Sequence, residues 1–220
     1  MSEKQTSRFF RCNDPRLNSI FFNLPENWWS RPYEYAWASS LVNQDDVVLD
    51  AACGISHPFK YYLCDLCRQV YACDLDDRIL SNEAILADMA NDFGPQTMDF
   101  PLQYLERPVL SQQDITATSF ADEMFDRIVC ISVLEHLTEN NLHKALLEFK
   151  RILKNDGLMI ITLDYPYLSL DLFNRALEES GLAYADKVNF EMTGDVLRTD
   201  LFPEFPEGLY SFRALLRKAH

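Results

Sequence analysis

The chain has 220 residues, of which 48% are hydrophobic and 25% charged, and it carries a formal net charge of −14. That length suits one large α/β domain, and no apolar run approaches the roughly 18 residues a membrane helix needs. An acidic surface repels phosphate backbones and anionic lipid, so neither nucleic acid nor a membrane is the expected partner; a small molecule is.

Met1-Ser2-Glu3-Lys4-Gln5 is followed by no apolar stretch, so no secretory or transit signal is expected and the predicted location is cytoplasmic. Residues 1–45 are rich in aromatics, among them Phe9, Phe10, Trp28, Trp29, Tyr33, Tyr35 and Trp37, without strand alternation. They predict a helical or irregular cap over a domain at 46–220. From Asp46 the pattern changes to short continuous apolar runs at 47–53, 69–74, 127–133 and 158–163, which suit strands buried on both faces. Helices are expected at 78–91, at 139–153 behind a Thr138 cap, and at 169–180, where Gly181 stops the last. Asn155-Asp156-Gly157 predicts a turn out of the second of these. Strands alternating with helices imply βαβ units and a parallel sheet covered on both sides. The run 210–218 returns as a strand after a Pro- and Gly-containing loop at 201–208.

The six cysteines sit mostly in strand-like runs and imply no disulfide framework. Cys64 and Cys67 form a C-x-x-C without the second ligand pair that zinc needs, so packing on a short helix is expected and no metal.

Asp50 ends the first buried strand, and the small residues Ala51-Ala52-Cys53-Gly54 follow as a turn. Ligands of open α/β sheets bind beyond the carboxyl ends of strands, where small residues let backbone approach them. The second strand ends in Asp74, a carboxylate able to accept from both hydroxyls of a ribose. Two such aspartates point to a nucleoside-containing cofactor, and the missing G-x-G-x-x-G argues against a nicotinamide-dependent oxidoreductase.

"VVLDAACGIS" at 47–56 resembles the first motif of class I S-adenosylmethionine-dependent methyltransferases, and "VYACDLDDRIL" at 70–80 their second. "QQDIT" at 112–116 is similar to the third, "FDRIVCISVLEHL" at 125–137 to the fourth, and "RILKNDGLMIITLDYP" at 151–166 to the fifth. The resemblance spans about 46–218 in the right order. It implies a three-layer α/β sandwich around a mostly parallel seven-stranded sheet with the last strand antiparallel. It also implies S-adenosyl-L-methionine as cofactor, S-adenosyl-L-homocysteine as product, and methyl transfer to O or N of a small molecule; a catalytically silent cofactor-binding protein is the alternative. Only Gly54 is kept of the family's glycines, with Ala52 and Ser56 at the other positions, and Ala52 fits there if its φ is negative.

The same resemblance places Ala52, Cys53 and Gly54 against the methionine part, Asp74 and Leu75 at the ribose, Asp114 and Ile115 beside the adenine, and Ser132 and Val133 on the sulfonium side. Asp50 either orients the loop or touches the ligand. If the acceptor must lose a proton, His136, His57 and Asp164 stand near strand ends, with His136 the first choice; the alternative for Glu135-His136 is a polar pair opening a surface helix. Arg31 is the candidate for the cofactor carboxylate, in a lid formed by "SRPYEYAW" at 30–37, or else it pairs with Glu34 on the surface. Tyr165 and Tyr167, with the insertion at 190–209, could wall an acceptor pocket.

Overall fold

A computed structural model of the chain describes residues 3–219. The first forty-odd residues form the short strands β1 (Ser7–Phe9), β2 (Ser19–Ile20) and β3 (Phe22–Asn23) and the helix α1 (Arg31–Ser39). Then follow β4 (Val47–Ala51), α2 (Phe59–Leu63), β5 (Gln69–Asp74), α3 (Asn82–Phe93), β6 (Val109–Gln112), β7 (Phe125–Ile131) and α4 (Glu139–Ile152). The chain closes with β8 (Leu153–Tyr165), α5 (Leu170–Glu179), β9 (Leu182–Tyr184), β10 (Val188–Asn189), β11 (Arg198–Thr199) and β12 (Leu209–Lys218).

One sheet holds ten of these strands in the order β10-β1-β12-β8-β7-β4-β5-β6, with β9 and β11 also on β12. Strands β6, β5, β4, β7 and β8 run parallel, and β12 is antiparallel to β8. The parallel α/β architecture with a returning last strand matches expectation; the count of seven does not. Four short strands, β1, β9, β10 and β11, extend the sheet beyond or along β12.

Residues 1–45 also differ from a purely helical cap, because β1 pairs with β12 inside the sheet. Phe9 packs in the core layer under α4 and α5, and the adjacent Phe10 in the layer under α1. Two neighbouring aromatics buried on opposite faces erase the alternation by which a strand is read.

Two boundaries moved for identifiable reasons. Ser81 accepts a hydrogen bond from the Ala84 amide at 3.2 Å and caps α3, so the stretch expected at 78–91 splits into a short 3-10 turn and a helix. Ile152 runs directly into β8, and the turn expected at 155–157 survives as a break in its ladder, where Phe125 faces Leu153 but Arg127 faces Leu158. A Cβ on Gly157 would lie 2.7 Å from Leu153 Cδ1, so that glycine serves close packing.

Candidate functional site

Parallel strands point their carboxyl ends the same way, so β4, β5 and β7 deliver Asp50, Asp74 and Ser132 to one edge of the sheet. Beyond β4 the chain reverses through Ala52, at φ +52°, and Gly54, at φ +68°. The expectation of a negative φ for Ala52 is therefore corrected. A left-handed alanine costs roughly 1–2 kcal/mol, and Ser132, at φ +48°, repeats the strain after β7. Gly54 is obligatory twice over, since a Cβ would also meet His57 Cδ2 at 2.7 Å.

The strain is held by three anchors. The Cys53 amide donates to Cys73 O at 2.9 Å, and the Gly54 amide donates to the Asp74 carboxylate at 2.9 Å. Lys60, fully buried in α2, donates its ammonium to the carbonyls of Gly54 (2.7 Å), Ile55 (2.9 Å) and His57 (2.7 Å). A lysine with all three donors spent on the loop organises it where the family pattern has more glycine. Sequence reading missed it; the available signal was a lysine set among Phe59, Tyr61 and Tyr62.

Over the loop lies the first turn of α1. Arg31 pairs with Glu34 at 2.5 Å and donates to Ser132 Oγ at 2.9 Å. Glu34, with no exposed surface, also accepts from the hydroxyls of Ser132 (2.8 Å), Ser211 (3.1 Å) and Ser30 (3.2 Å). Burial opposes ionisation of Glu34, but the Arg31 guanidinium and these hydroxyls outweigh it and hold the carboxyl below its ordinary range. The Arg31–Glu34 pair thus exists, yet it is a buried bolt between α1 and the strand ends and not a surface contact.

Between α1, the loop and the end of β7 is a cavity of about 140 Å³. It is lined by eight of the sequence-predicted residues, Arg31, Asp50, Ala52, Cys53, Gly54, His57, Ser132 and Val133, together with Tyr35, Phe59 and Ile131. Burial pushes the Asp50 carboxyl up to about 7, with Lys60 drawing it down and Asp74 pushing it further up. His57 is held well below its ordinary pKa by burial, with the charges of Arg31 and Lys60 adding to it. Its Nδ1 lies 2.7 Å from the Tyr35 hydroxyl and its ring stacks on Trp28 at 4.2 Å. The cavity wall therefore offers a neutral imidazole.

Asp74 sits beside this cavity, half-buried, its carboxylate also accepting from the Asp76 amide at 3.1 Å. Leu75 is 68% exposed next to it. The Gln113 amide donates to Asp74 O at 2.9 Å, which ties the segment after β6 to the end of β5. There Ile115 is buried, and the exposed Asp114 accepts from the Thr116 amide and hydroxyl through one oxygen. These residues form an open shelf continuing from the cavity.

His136 does not line the cavity. It is exposed, its ring 4.9 Å from Tyr167, whose ring is 5.6 Å from Phe205. Tyr165 turns the other way and packs edge-on to Phe9 at 5.6 Å. Glu135 is not a surface residue: it is 4% exposed and accepts from the Asp164 amide at 3.0 Å, while its other oxygen has no partner. Burial first, then the Asp164 charge, pushes Glu135 up to about 8. Burial and Glu34, opposed by Arg31, push Asp164 to about 7.

Among the described residues no group of three or more His, Cys, Asp or Glu side chains is arranged to hold a metal, and no helix is long and apolar enough to cross a membrane. Cys64 and Cys67 lie not on a helix but in the turn after α2, where their free thiols point back to the carbonyls of Lys60 and Leu63.

The sequence profile of the family described as "Methyltransferase domain" matches residues 49–161, from within β4 to within β8. Solved structures share the fold. A TehB-like SAM-dependent methyltransferase from Corynebacterium glutamicum superposes with a TM-score of 0.57 at 20% identity, over 84% of this chain and 86% of that one. The 1,6-didemethyltoxoflavin-N1-methyltransferase of Burkholderia thailandensis, with that substrate and S-adenosylhomocysteine bound, superposes with a TM-score of 0.57 at 15% identity, over 89% of this chain and 82% of that one. An uncharacterised protein of Methanocaldococcus jannaschii is 40% identical over 78 residues, 34% of this chain and 33% of its own length. The match thus spans about a third of that relative.

The chain belongs to the methyltransferase-domain family, in the class I group whose cofactor is S-adenosylmethionine.

Proposed function

We propose that the protein transfers the methyl group of S-adenosylmethionine to an oxygen or nitrogen of a small-molecule acceptor in the cytoplasm. One observation carries this reading: two left-handed residues, Ala52 and Gly54, are held over a cavity between the aspartates that end adjacent parallel strands. A cradle that closes on its own glycine's Cβ position, with a carboxylate on either side, fits an amino-acid-bearing nucleoside.

The cofactor supplies a methyl group already activated on a sulfonium, so the chain's own residues bind, align and exclude water. Asp74 and Leu75 hold the ribose, and Asp114 and Ile115 flank the adenine. Asp50 and the small residues of the 52–54 loop, whose Cys53 and Gly54 amides are already spent on Cys73 O and Asp74, border the methionine end. Arg31 spends Nη1 on Glu34 and Ser132 but makes no other hydrogen bond among the described residues, which leaves its remaining donors for the cofactor carboxylate. Residues 1–45 act as the lid of a catalytic domain at 46–220, with Tyr35 and Trp28 closing over His57. Ser132 and Val133 face the sulfonium side, and beyond them His136, with Tyr167, borders the acceptor.

His136 takes the acceptor's proton. Partial burial of its ring and then the Arg31 charge lower its pKa, which favours an unprotonated imidazole. His57 is the second candidate, because it lines the cavity itself.

The test is incubation with methyl-labelled S-adenosylmethionine and a small-metabolite extract. Protein-dependent S-adenosylhomocysteine together with a labelled low-mass product is expected. Tight cofactor binding without either product would establish a silent binding protein, and label on protein or nucleic acid would overturn the acceptor class.

A further inference from the structure

A second cavity, of about 300 Å³, lies between residues 3–15 and the later turns of α1, outside the family match at 49–161. It shares no lining residue with the cofactor cavity: α1 turns Arg31 and Tyr35 to that one, and Ala36 and Trp37 to this one, with Ser40 just beyond its end. Apolar walls come from Pro15, Ala36 and Trp37, with the fully buried Phe10 behind them. The floor is two guanidiniums, Arg8 at 5% and Arg213 at 3% exposure.

A buried arginine requires partners for its donors, and here the supply falls short. Arg8 grips Asp14 with Nη1 at 2.8 Å and Nη2 at 2.6 Å, but its buried Nε has no partner. Arg213 donates Nε to Thr6 O at 3.1 Å and Nη2 to Glu3 O at 2.9 Å. Its Nη1 makes no hydrogen bond among the described residues, the Asp14 carboxylate standing off at 3.8 Å. One buried carboxylate therefore serves two guanidiniums, since Glu3 keeps 75% of its side chain in solvent. Burial, together with the Arg8 charge, pulls Arg213 down to about 10, the mark of a cation short of counter-charge. Arg213 is also 5.6 Å from the Phe10 ring centroid and 5.4 Å from that of Trp37, so the positive charge and the aromatic faces meet at one place. On a chain of net charge −14, an anion is drawn only where such a local excess exists.

We propose that this cavity binds a small planar aromatic carboxylate, its anion on the unspent Nη1 of Arg213 and its ring against Trp37. The unspent donors select charge. The apolar walls select a ring over an inorganic oxyanion, which would leave them uncovered, and the volume lies at the lower bound of ordinary small-molecule sites. The inference stands apart from methyl transfer.

Calorimetry on the full chain would use indole-3-acetate as the probe, with indole-3-acetamide, acetate and inorganic phosphate as comparisons. Binding of indole-3-acetate with Kd of about 0.1–1 mM is expected, with each comparison at least about tenfold weaker. Arg213→Met should weaken the probe at least about tenfold. Because that change also strands Thr6 O and Glu3 O, Ala36→Leu is the second variant: it fills the cavity, spares both guanidiniums, and should abolish probe binding while S-adenosylhomocysteine still binds. The proposal fails if the probe gives no heat at millimolar concentration, if the amide or phosphate binds as well as the acid, or if Ala36→Leu binds the probe unchanged.

Discussion

Replacing Lys60 by Met removes the cation that holds the loop at 52–57, proposed to receive the cofactor, while keeping the length and apolar stem of the side chain. Three carbonyls, of Gly54, Ile55 and His57, then lose their donor inside the protein. Hydrogen bonds to a charged group contribute about 1.5–3 kcal/mol each, so the gross loss is about 5–9 kcal/mol. Against it stands relief from burying an ammonium, several kcal/mol per ion, and entry of water at the edge of the loop. The net expected loss is about 2–4 kcal/mol of unfolding free energy, read by urea denaturation at pH 7.5. The loop's left-handed residues are strained without their tether, so S-adenosylhomocysteine should bind at least about tenfold more weakly by calorimetry. A Lys60→Met protein with unchanged urea midpoint and unchanged affinity would refute the tether.

Gly54→Ala meets both a φ of +68° and the pinned His57 ring, and should lower the thermal midpoint by about 4–8 °C, corresponding to about 2 kcal/mol; an unshifted midpoint would contradict the close approach. Asp74→Ala removes the acceptor of the Gly54 amide and the one proposed for the ribose, and should weaken S-adenosylhomocysteine binding by about 1–3 kcal/mol in calorimetry; unchanged affinity in a folded variant would remove Asp74 from the site. Glu135 has a folded-state pKa of about 8, raised above its ordinary 4.5, so both states are protonated at low pH and stability drains away as pH rises from about 4.5 to 8. Glu135→Gln abolishes that drain: it should match the unmodified protein near pH 4 and exceed it by at most about 5 kcal/mol near pH 8, and parallel stability curves across that range would show the carboxyl to be ordinary.

The central strands were legible because a parallel sheet buried on both faces leaves continuous apolar runs, and 69–74 was read to the residue as β5. The edges were not. β6 is four residues long, half exposed and half polar, and it is a strand because Tyr71 to Asp74 of β5 pair with it. β1, β10 and β11 owe their existence to the long β12 beside them or to one another, a tertiary cause that no local window contains. The turn expected at 155–157 is a bulge inside β8 and not a boundary before it, and its glycine is used for contact with Leu153 and not for a positive φ.

The site divides along the same line. Residues fixed by their place at a strand end, Asp50, Gly54, Asp74 and Ser132, could be located from pattern, since in a parallel sheet chain order determines which ends converge. Residues whose meaning depends on what meets them could not. Ala52 reads as a tolerable loss of glycine until Lys60 is seen gathering the carbonyls that follow it. Glu34 reads as a surface partner for Arg31 until Ser132 and Ser211, about 100 and 177 residues further along the chain, are seen donating to it. In both cases a strained or charged group survives burial because hydrogen-bond partners from distant segments converge on it, and such convergence is created by the fold. The same logic identifies where partners are lacking. Arg8 and Arg213 stand out not for being charged and buried, but for keeping donors unspent after the chain has supplied Asp14 and three carbonyls.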